Sequence, residues 1–580
     1  MNLGNPQIWQ QFWQIIQPYW LYRWRGDAIA QLIMLVILSL GSSYFIIFEI
    51  LQRGEITSSL AAQNFNRFYQ TFWFFSGVVI INVIFISLKN YIQAQISLDW
   101  RKWLTSDYFQ QYFAKQSFYQ LQVNAEIDNP DQRLAEDIKN VTQRLVALFV
   151  IFLDSLVQLI GFIGVLWLIS PFLMYSLVTY AVVGTLVTTL VFGKVLVGIN
   201  LEQIKREADF RYGLVRVREN AEAIAFYNGQ TQESQQLKQR FSQVFANIKR
   251  LISWQFRLNV FQNGYQFLTF ILPFLILAPR IFSRELEIGA VTQSQAAFER
   301  VGLALGLIIT QFNQITTLAA GVERLSELGK AMQTEAQGKI KFAENTEINI
   351  KNLTLEIPER GNLIQDISLS VKPGESLIIV GESGVGKTSL LRAIAGLWLH
   401  GEGIIERPAN DSLLFLPQRP YITWGSLRQQ LTYPQTTTNI PSEILLKTLQ
   451  QVHLPDLAQS HGGLDTVIDW SRVLSLGEQQ RLAFARLLLI QPKYAILDES
   501  TSALDEETEA SLYQQLQQTS ITYISVGHRN TLLNYHQMVL ELAQQNWQLL
   551  PIDNFCFAQR RIRPWRSRRV DAKDSPRPFA

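Results

Sequence analysis

Cysteine is almost missing from this chain of 580 residues, which has only Cys556. A lone thiol can form neither an intrachain disulfide nor a cysteine-ligated metal cluster. Histidine is scarce too: His400, His453, His461, His528 and His536 show no zinc-ligand spacing. Charged residues make up 17%, against about 25% in a typical soluble domain. The formal net charge of +3 is too small for a nucleic-acid-binding surface, so no nucleic-acid partner is expected. A cleaved secretory leader is not expected either. Such a leader opens with basic residues, and residues 1–22 carry no charged side chain.

What the chain has instead is apolar and aromatic bulk, with 35 Phe, 14 Trp and 48% hydrophobic residues. Its length exceeds what one core organises, so more than one domain is expected. Within residues 1–27, Ile8, Trp9, Phe12, Trp13, Ile15, Ile16, Tyr19 and Trp20 recur at helical spacing. They predict a helix that lies in the membrane interface with Trp at headgroup depth, or one that packs on the protein's own membrane domain. Apolar runs at 29–51, 71–88, 145–169, 172–197, 260–282 and 296–320 can each cross ~30 Å of hydrocarbon at 1.5 Å per residue. The last two are more polar, and loop lengths argue for counting them. Six spans then fill a transmembrane domain at 28–330.

Ser170 and Pro171 leave almost no loop between the third and fourth runs, so these should form a tight hairpin. The segments 89–144 and 198–258 are long and rich in Lys and Arg, for example Arg101, Lys115, Arg144, Lys205, Arg216 and Lys249. Such density marks the cytoplasmic side, and Arg23 and Arg25 place the N-terminus there as well. Residues 340–550 change character. Short β-rich runs at 376–380, 413–416, 494–497 and 522–526 alternate with helical stretches, an α/β pattern with a mainly parallel sheet. The tail at 551–580 is basic and rich in Pro and Ser; it should be largely disordered, with arginines able to meet anionic lipid.

The run at 377–380 leads into Gly381-Glu382-Ser383-Gly384-Val385-Gly386-Lys387-Thr388, followed by Ser389 and a helical stretch. This is G-x-x-x-x-G-K-[ST] in its required strand–loop–helix context. The glycines let backbone N–H groups curl towards phosphate oxygens, and the helix N-terminus adds its dipole. Lys387 would contact the β- and γ-phosphates, and Thr388 would offer its hydroxyl to Mg²⁺. Downstream, the strand 494–497 ends in Asp498 and Glu499. It should lie beside the phosphate loop, with Asp498 on Mg²⁺ and Glu499 aligning and deprotonating the attacking water.

Together with four further motifs, these residues resemble the ABC ATPases. Gln418 in Leu416-Pro-Gln-Arg-Pro420 is similar to the Q-loop, and Leu474-Ser-Leu-Gly-Glu-Gln-Gln-Arg481 to the signature motif. Ser502-Ala-Leu-Asp505 is similar to the D-loop, and His528 to the switch histidine. The resemblance implies an all-α six-helix transmembrane domain of exporter type followed by a cytoplasmic α/β P-loop NTPase domain. It implies that each ATP lies between Lys387 of one subunit and Ser475 and Gly477 of another, with Glu478 and Asp505 belonging to that site. The chain carries one such domain, so a second half-transporter is expected as partner, in a homodimer. Gln418 would sense Mg²⁺ and couple to the membrane helices, and His528 would hold the γ-phosphate and the water.

The membrane half resembles subfamily D half-transporters and bacterial relatives that take up peptide antibiotics or cobalamin. The resemblance rests on Asn129-Pro-Asp-Gln-Arg133 with Glu136-Asp137, on Ala223-Ile-Ala-Phe-Tyr227 after Glu219, and on Pro417-Gln-Arg-Pro-Tyr421. It implies that 219–229 meets the ATPase domain. Two departures stand out. Leu476 and Glu478 replace the usual Gly and Gln of the signature, and the stretch Leu353-Thr-Leu-Glu-Ile-Pro358 lacks an aromatic to stack on adenine.

Polar residues in the last two runs fall on one helix face each: Asn259, Gln262, Asn263 and Gln266, then Thr310, Gln311, Asn313, Gln314 and Thr317. They line a wet pathway or hold the bundle together by interhelical hydrogen bonds. Asp154, with Gln158 a turn away, titrates, binds a cationic substrate or pairs with a base on another helix. The leading reading is an ATP-hydrolysing pump for a cargo that could be cobalamin or another hydrophilic molecule, a peptide, or an acyl-CoA or fatty acid. An ATP-gated channel or regulator is the alternative. The expected location is a bacterial inner membrane, with the ATPase domain and both termini cytoplasmic.

Overall fold

The computed structural model describes residues 6–22, 26–124, 127, 129–305, 311–333, 338–357, 361–435, 440–543 and 546–555. Arg23, Arg25 and residues 556–580 of the basic tail lie outside this set, whereas the first residues of the tail are ordered: Pro551 ends a strand and Phe555 is buried. The chain divides into two compact units, Met1–Thr334 and Glu335–Ala580.

The regular structure of the first unit is helical among the described residues. Among the described residues, four helices are long and apolar enough to cross a membrane: Gly26–Ala61, Phe65–Val123, Pro130–Ile169 and Gln230–Phe282. A shorter apolar stretch, Pro171–Gly184, follows the third. The last candidate run of the sequence falls partly on Gly289–Leu305 and partly on Phe312–Gln333, with 306–310 outside the described residues. Among the described residues, length and apolarity alone mark these four and one shorter apolar helix, and the expected count of six is not confirmed by them. The long helices absorb much of the charged connecting sequence as well: Phe65–Phe113 and Gln230–Phe282 run on as single helices of 49 and 53 residues.

Local chemistry sets the turns. Asn64 caps the second long helix, its Oδ1 accepting from the Arg67 N–H at 3.1 Å. Ser170 is extended and Pro171 opens the next helix, where its missing N–H costs nothing. The N-terminal helix Pro6–Gln17 leads into a π-helical turn whose Tyr19 is buried and stacks on Trp100, ring centroids 5.7 Å apart. Ile15 joins the same core, and Trp13 points outward, 53% exposed.

Asp154 pairs with a base. Lys89 Nζ lies 2.7 Å from Asp154 Oδ2 and 3.1 Å from Ser42 Oγ, and the Ser39 hydroxyl donates to Asp154 Oδ1. Three helices are joined at this one buried point. Of the polar stripes, Asn259 and Asn263 are exposed, while Gln262, Gln311, Gln314 and Thr317 are half-buried. The side chains of Gln266, Thr310 and Asn313 lie outside the described residues.

The second unit holds two main sheets. Strands β1 (Lys339–Glu344), β2 (Ile348–Ile357), β3 (Gly361–Val371) and β5 (Gly401–Arg407) form one, in the order β1-β5-β2-β3. Strands β4 (Ser376–Gly381), β6 (Leu413–Leu416), β9 (Tyr494–Asp498), β10 (Thr522–Val526), β11 (Met538–Ala543) and β12 (Asn546–Pro551) form the other, in the order β12-β11-β4-β10-β9-β6. A small hairpin pairs β7 (Gly425–Ser426) with β8 (Val467–Ile468). In the six-stranded sheet every pairing from β11 to β6 is parallel, and β12 is an antiparallel edge. Its strands read as continuous apolar runs because both faces are covered, one by helices and the other by the four-stranded sheet with helix Lys387–Ile394. Leu377 and Ile379 pack into one core and Ile378 into the other. The strand that ends in Asp498 is not the neighbour of β4, because β10 lies between them.

Candidate nucleotide site

The site gathers at the carboxyl ends of β4, β9 and β10, where open α/β sheets bind ligands. The loop after β4 needs glycine where the backbone turns left-handed. Gly386 has φ +108°, caps the helix Lys387–Ile394, and has no room for a Cβ, which would sit 2.9 Å from Leu363. Glu382, Ser383 and Gly384 are exposed, Val385 and Ser389 half-buried. Lys387 is buried and folds back over the loop, its Nζ donating to the Gly381 and Glu382 carbonyl oxygens at 2.8 and 2.9 Å. Burial lowers its pKa, while the nearby Glu499 and Asp498 carboxylates oppose the shift.

Although β9 lies one strand away from β4, Asp498 reaches the loop. The Thr388 hydroxyl donates to Asp498 Oδ1 at 3.2 Å. Thr388 sits in the first turn of the helix that follows the loop, and that helix packs on β9 as well as on β4, so strand adjacency is unnecessary. Burial pushes the Asp498 carboxyl above the usual carboxylate range, against the Thr388 hydrogen bond. A hydroxyl and a half-buried carboxylate are hard oxygen donors, the set a small divalent cation takes while keeping most of its waters.

Glu499 has φ +48°, and its N–H donates to the Val526 carbonyl at 3.1 Å. Its carboxylate is held from both sides. Gln418 Nε2 donates to Oε2 at 2.9 Å, and His528 Nε2 lies 2.8 Å from Oε1. Gln418 lies 81 residues before Glu499 and His528 lies 29 residues after it, and both meet its carboxylate.

Ser475, Gly477, Glu478 and Asp505 have local partners. Ser475 caps the helix Leu476–Ile490 in a box with Glu478, whose Oε2 accepts from the Ser475 N–H at 2.9 Å and the Ser475 hydroxyl at 2.7 Å. That hydrogen bond holds the Glu478 carboxyl below the usual range. Gly477 leaves a prospective Cβ 3.2 Å from the Ala503 carbonyl oxygen. Asp505 caps Glu506–Gln517 through the Thr508 N–H at 2.8 Å. Among the described residues, no hydrogen bond joins these four to the phosphate loop.

Sequence reasoning missed the side chains that hold the motifs together. Gln480 is fully buried; its Nε2 donates to the Gln418 carbonyl at 2.9 Å, and its Oε1 accepts from the Ala503 N–H at 3.0 Å. Arg486 is buried and donates to the carbonyls of Gln430 and Tyr421 at 2.6 and 2.7 Å, which fixes the chain after Gln418. Glu509 is buried, accepts from Thr501 and pairs with Arg529 at 3.3 Å; Arg529 also donates to the Leu504 carbonyl at 2.7 Å. The available signal was a polar or charged residue on the apolar face of a helix, as at Gln480 and Arg486.

The description of the ABC transporter transmembrane region 2 matches residues 16–282, and that of the ABC transporter matches residues 364–502. An uncharacterized ABC transporter ATP-binding protein of Synechocystis is 44% identical over 86% of this chain and 78% of its own length. A chloroplastic ABC transporter D family member 2 of Arabidopsis thaliana is 38% identical over 98% and 89%. A lysosomal cobalamin transporter of Homo sapiens is 30% identical over 94% and 96%.

Proposed function

We propose, from the premise that this chain belongs to the ABC transporters as a membrane permease fused to an ATP-binding domain, how its residues serve that activity. The protein is an ATP-hydrolysing half-transporter that couples ATP use to movement of a cargo. The loop from Gly381 to Ser389 cradles the triphosphate through its backbone N–H groups. Lys387 leaves the loop carbonyls for the β- and γ-phosphates. Thr388 and Asp498 would hold Mg²⁺, with Gln418 alongside, and the cation would supply charge to neutralise the phosphates. Glu499 takes the proton of the attacking water, and His528 positions that water and the γ-phosphate.

The observation that carries this reading is the Glu499 carboxylate, held by Gln418 and His528 two strands from Lys387. A second copy of the chain completes the site with Ser475, Gly477, Glu478 and Asp505, and ATP closes the pair. The ATPase unit faces the cytoplasm of a bacterial inner membrane.

For cargo we infer a hydrophilic molecule that follows the stripes containing Gln262 and Gln311. Gln311 carries a buried amide oxygen with no partner among the described residues, which suits a polar path. Liposomes holding the protein, given ATP on one side, test cobalamin, peptide and acyl-CoA in turn. Unchanged transport in Q262L and Q311L would rule out the path.

Steady-state ATPase activity of the purified protein and of Glu499→Gln tests the catalytic assignment. The expected loss is ~10³-fold. A variant as active as the unmodified protein ends the assignment, and a protein with no turnover is a gate or regulator.

A further inference from the structure

The sequence Asn129-Pro-Asp-Gln-Arg133, with Glu136-Asp137, has no place in the nucleotide site, yet its geometry is unusual. Asn129 takes a left-handed backbone at φ +46°, Pro130 opens a short helical turn, and Arg133–Asp137 is wound as a π-helix before Ile138–Ile169 begins. Single π-helical turns are rare and concentrate at functional positions. Here the wide turn buries both Arg133 and Asp137.

Both side chains face Phe312–Gln333, the last helix of the membrane unit. Arg133 Nη1 lies 3.1 Å from Glu327 Oε2 and donates to the Arg324 carbonyl at 2.8 Å. Arg324 Nη2 lies 2.5 Å from Asp137 Oδ1. The pairs flank an apolar contact in which Leu134, Ile138, Leu325 and Leu328 share one core. In sequence this helix, which ends at Gln333, precedes the ATP-binding unit that begins at Glu335.

The signs of the charges define a register. Arg133 and Asp137 are four apart on one segment; Arg324 and Glu327 are three apart on the other. If the last helix slid by about one turn, Asp137 would face Glu327 and Arg133 would face Lys330, like charge against like. A purely apolar contact would tolerate such a slip far better. The helix after the π-turn is itself tied to two others through Asp154, Lys89 and Ser39.

We propose that Arg133, Asp137, Arg324 and Glu327 form a register lock: positioning residues that make the 129–137 segment, and with it helix Ile138–Ile169, move as one with the helix leading into the ATP-binding unit. The lock is one route by which ATP-driven motion reaches the first three long membrane helices. It rests on the proposed ATP chemistry, and it makes no claim about cargo.

Hydrogen exchange of the full-length protein in lipid nanodiscs, with and without ATP, Mg²⁺ and vanadate, tests it alongside ATPase turnover. The intact protein should change its exchange in peptides covering 138–150 when trapped. Asp137→Asn and Arg324→Gln should lose most of that change while turnover stays within about twofold, and the exchanged pair D137R/R324D should regain it. Arg324 is the more exposed partner, so R324Q remains informative if D137N does not fold. An intact protein that hydrolyses ATP without any change at 138–150 overturns the lock. So does a single variant that keeps the whole change, or a folded exchanged pair that fails to regain it. An intact protein with no ATPase activity at all would defeat the ATP chemistry and would be recognised as that separate failure.

Discussion

Glu478 shows how one residue can hold a site in reserve. Its carboxylate takes both the N–H and the hydroxyl of Ser475, the donors a triphosphate from a neighbouring subunit would need. If a neighbouring subunit's triphosphate docks here as proposed, a fixed negative charge lies where more negative charge would arrive. Glu478→Gln keeps an oxygen for the helix cap and removes the charge. The expected result is a KM for ATP lowered by about two- to fivefold with kcat nearly unchanged, read from ATPase kinetics. His536 makes a different point. It is buried between Ser525 and the Leu532 carbonyl, and burial pushes its pKa from 6.5 down to about 4. The unfolded chain therefore binds a proton more readily than the folded one between these values. The stability this neutral ring contributes is complete above pH ~6.5 and is lost as pH falls towards 4, by about 3 kcal/mol. Melting of the full chain should show this slope, and His536→Gln should flatten it.

At the scale of elements, the phosphate loop, the strand ending in Asp498-Glu499 and the tight Ser170–Pro171 turn were all legible in advance. Each is decided within a few neighbouring residues by Gly, Pro or a run of apolar side chains. The strand expected at 494–497 is β9, longer by Asp498. That β10 lies between this strand and β4 was not legible, since strand order depends on where a crossover helix packs. Asp154 is the same kind of case: its spacing marked a costly intramembrane acid, but its partner Lys89 lies 65 residues away on another helix. Removing one partner strands the other charge. Asp154→Ala should lower the melting temperature in detergent by the equivalent of about 3–5 kcal/mol, and K89M/D154L should recover most of it.

At the scale of the whole molecule, one chain carries one phosphate loop and one signature motif. The capped Ser475 has no hydrogen bond to that loop among the described residues. If two copies share each ATP, defects in different halves should complement. Lys387→Ala and Ser475→Ala, each inactive alone, should recover about a quarter of normal ATPase activity when coexpressed, because half of the dimers would be mixed with one intact site each. No recovery would show that a single chain holds its nucleotide by itself.

The chemistry of this protein was set locally. A glycine loop running into Lys387 and Thr388, two carboxylates at a strand end and long lipid-soluble runs each need only neighbouring residues, so sequence alone determined an ATP-driven membrane machine. The tertiary structure decided which distant groups meet: Gln418 and His528 at Glu499, Gln480 between two loops, Lys89 at Asp154, and Arg133 and Asp137 on the last membrane helix. These contacts join residues that spacing cannot relate. Their energies depend on burial and on distances of about 3 Å, and both exist only once the chain has packed.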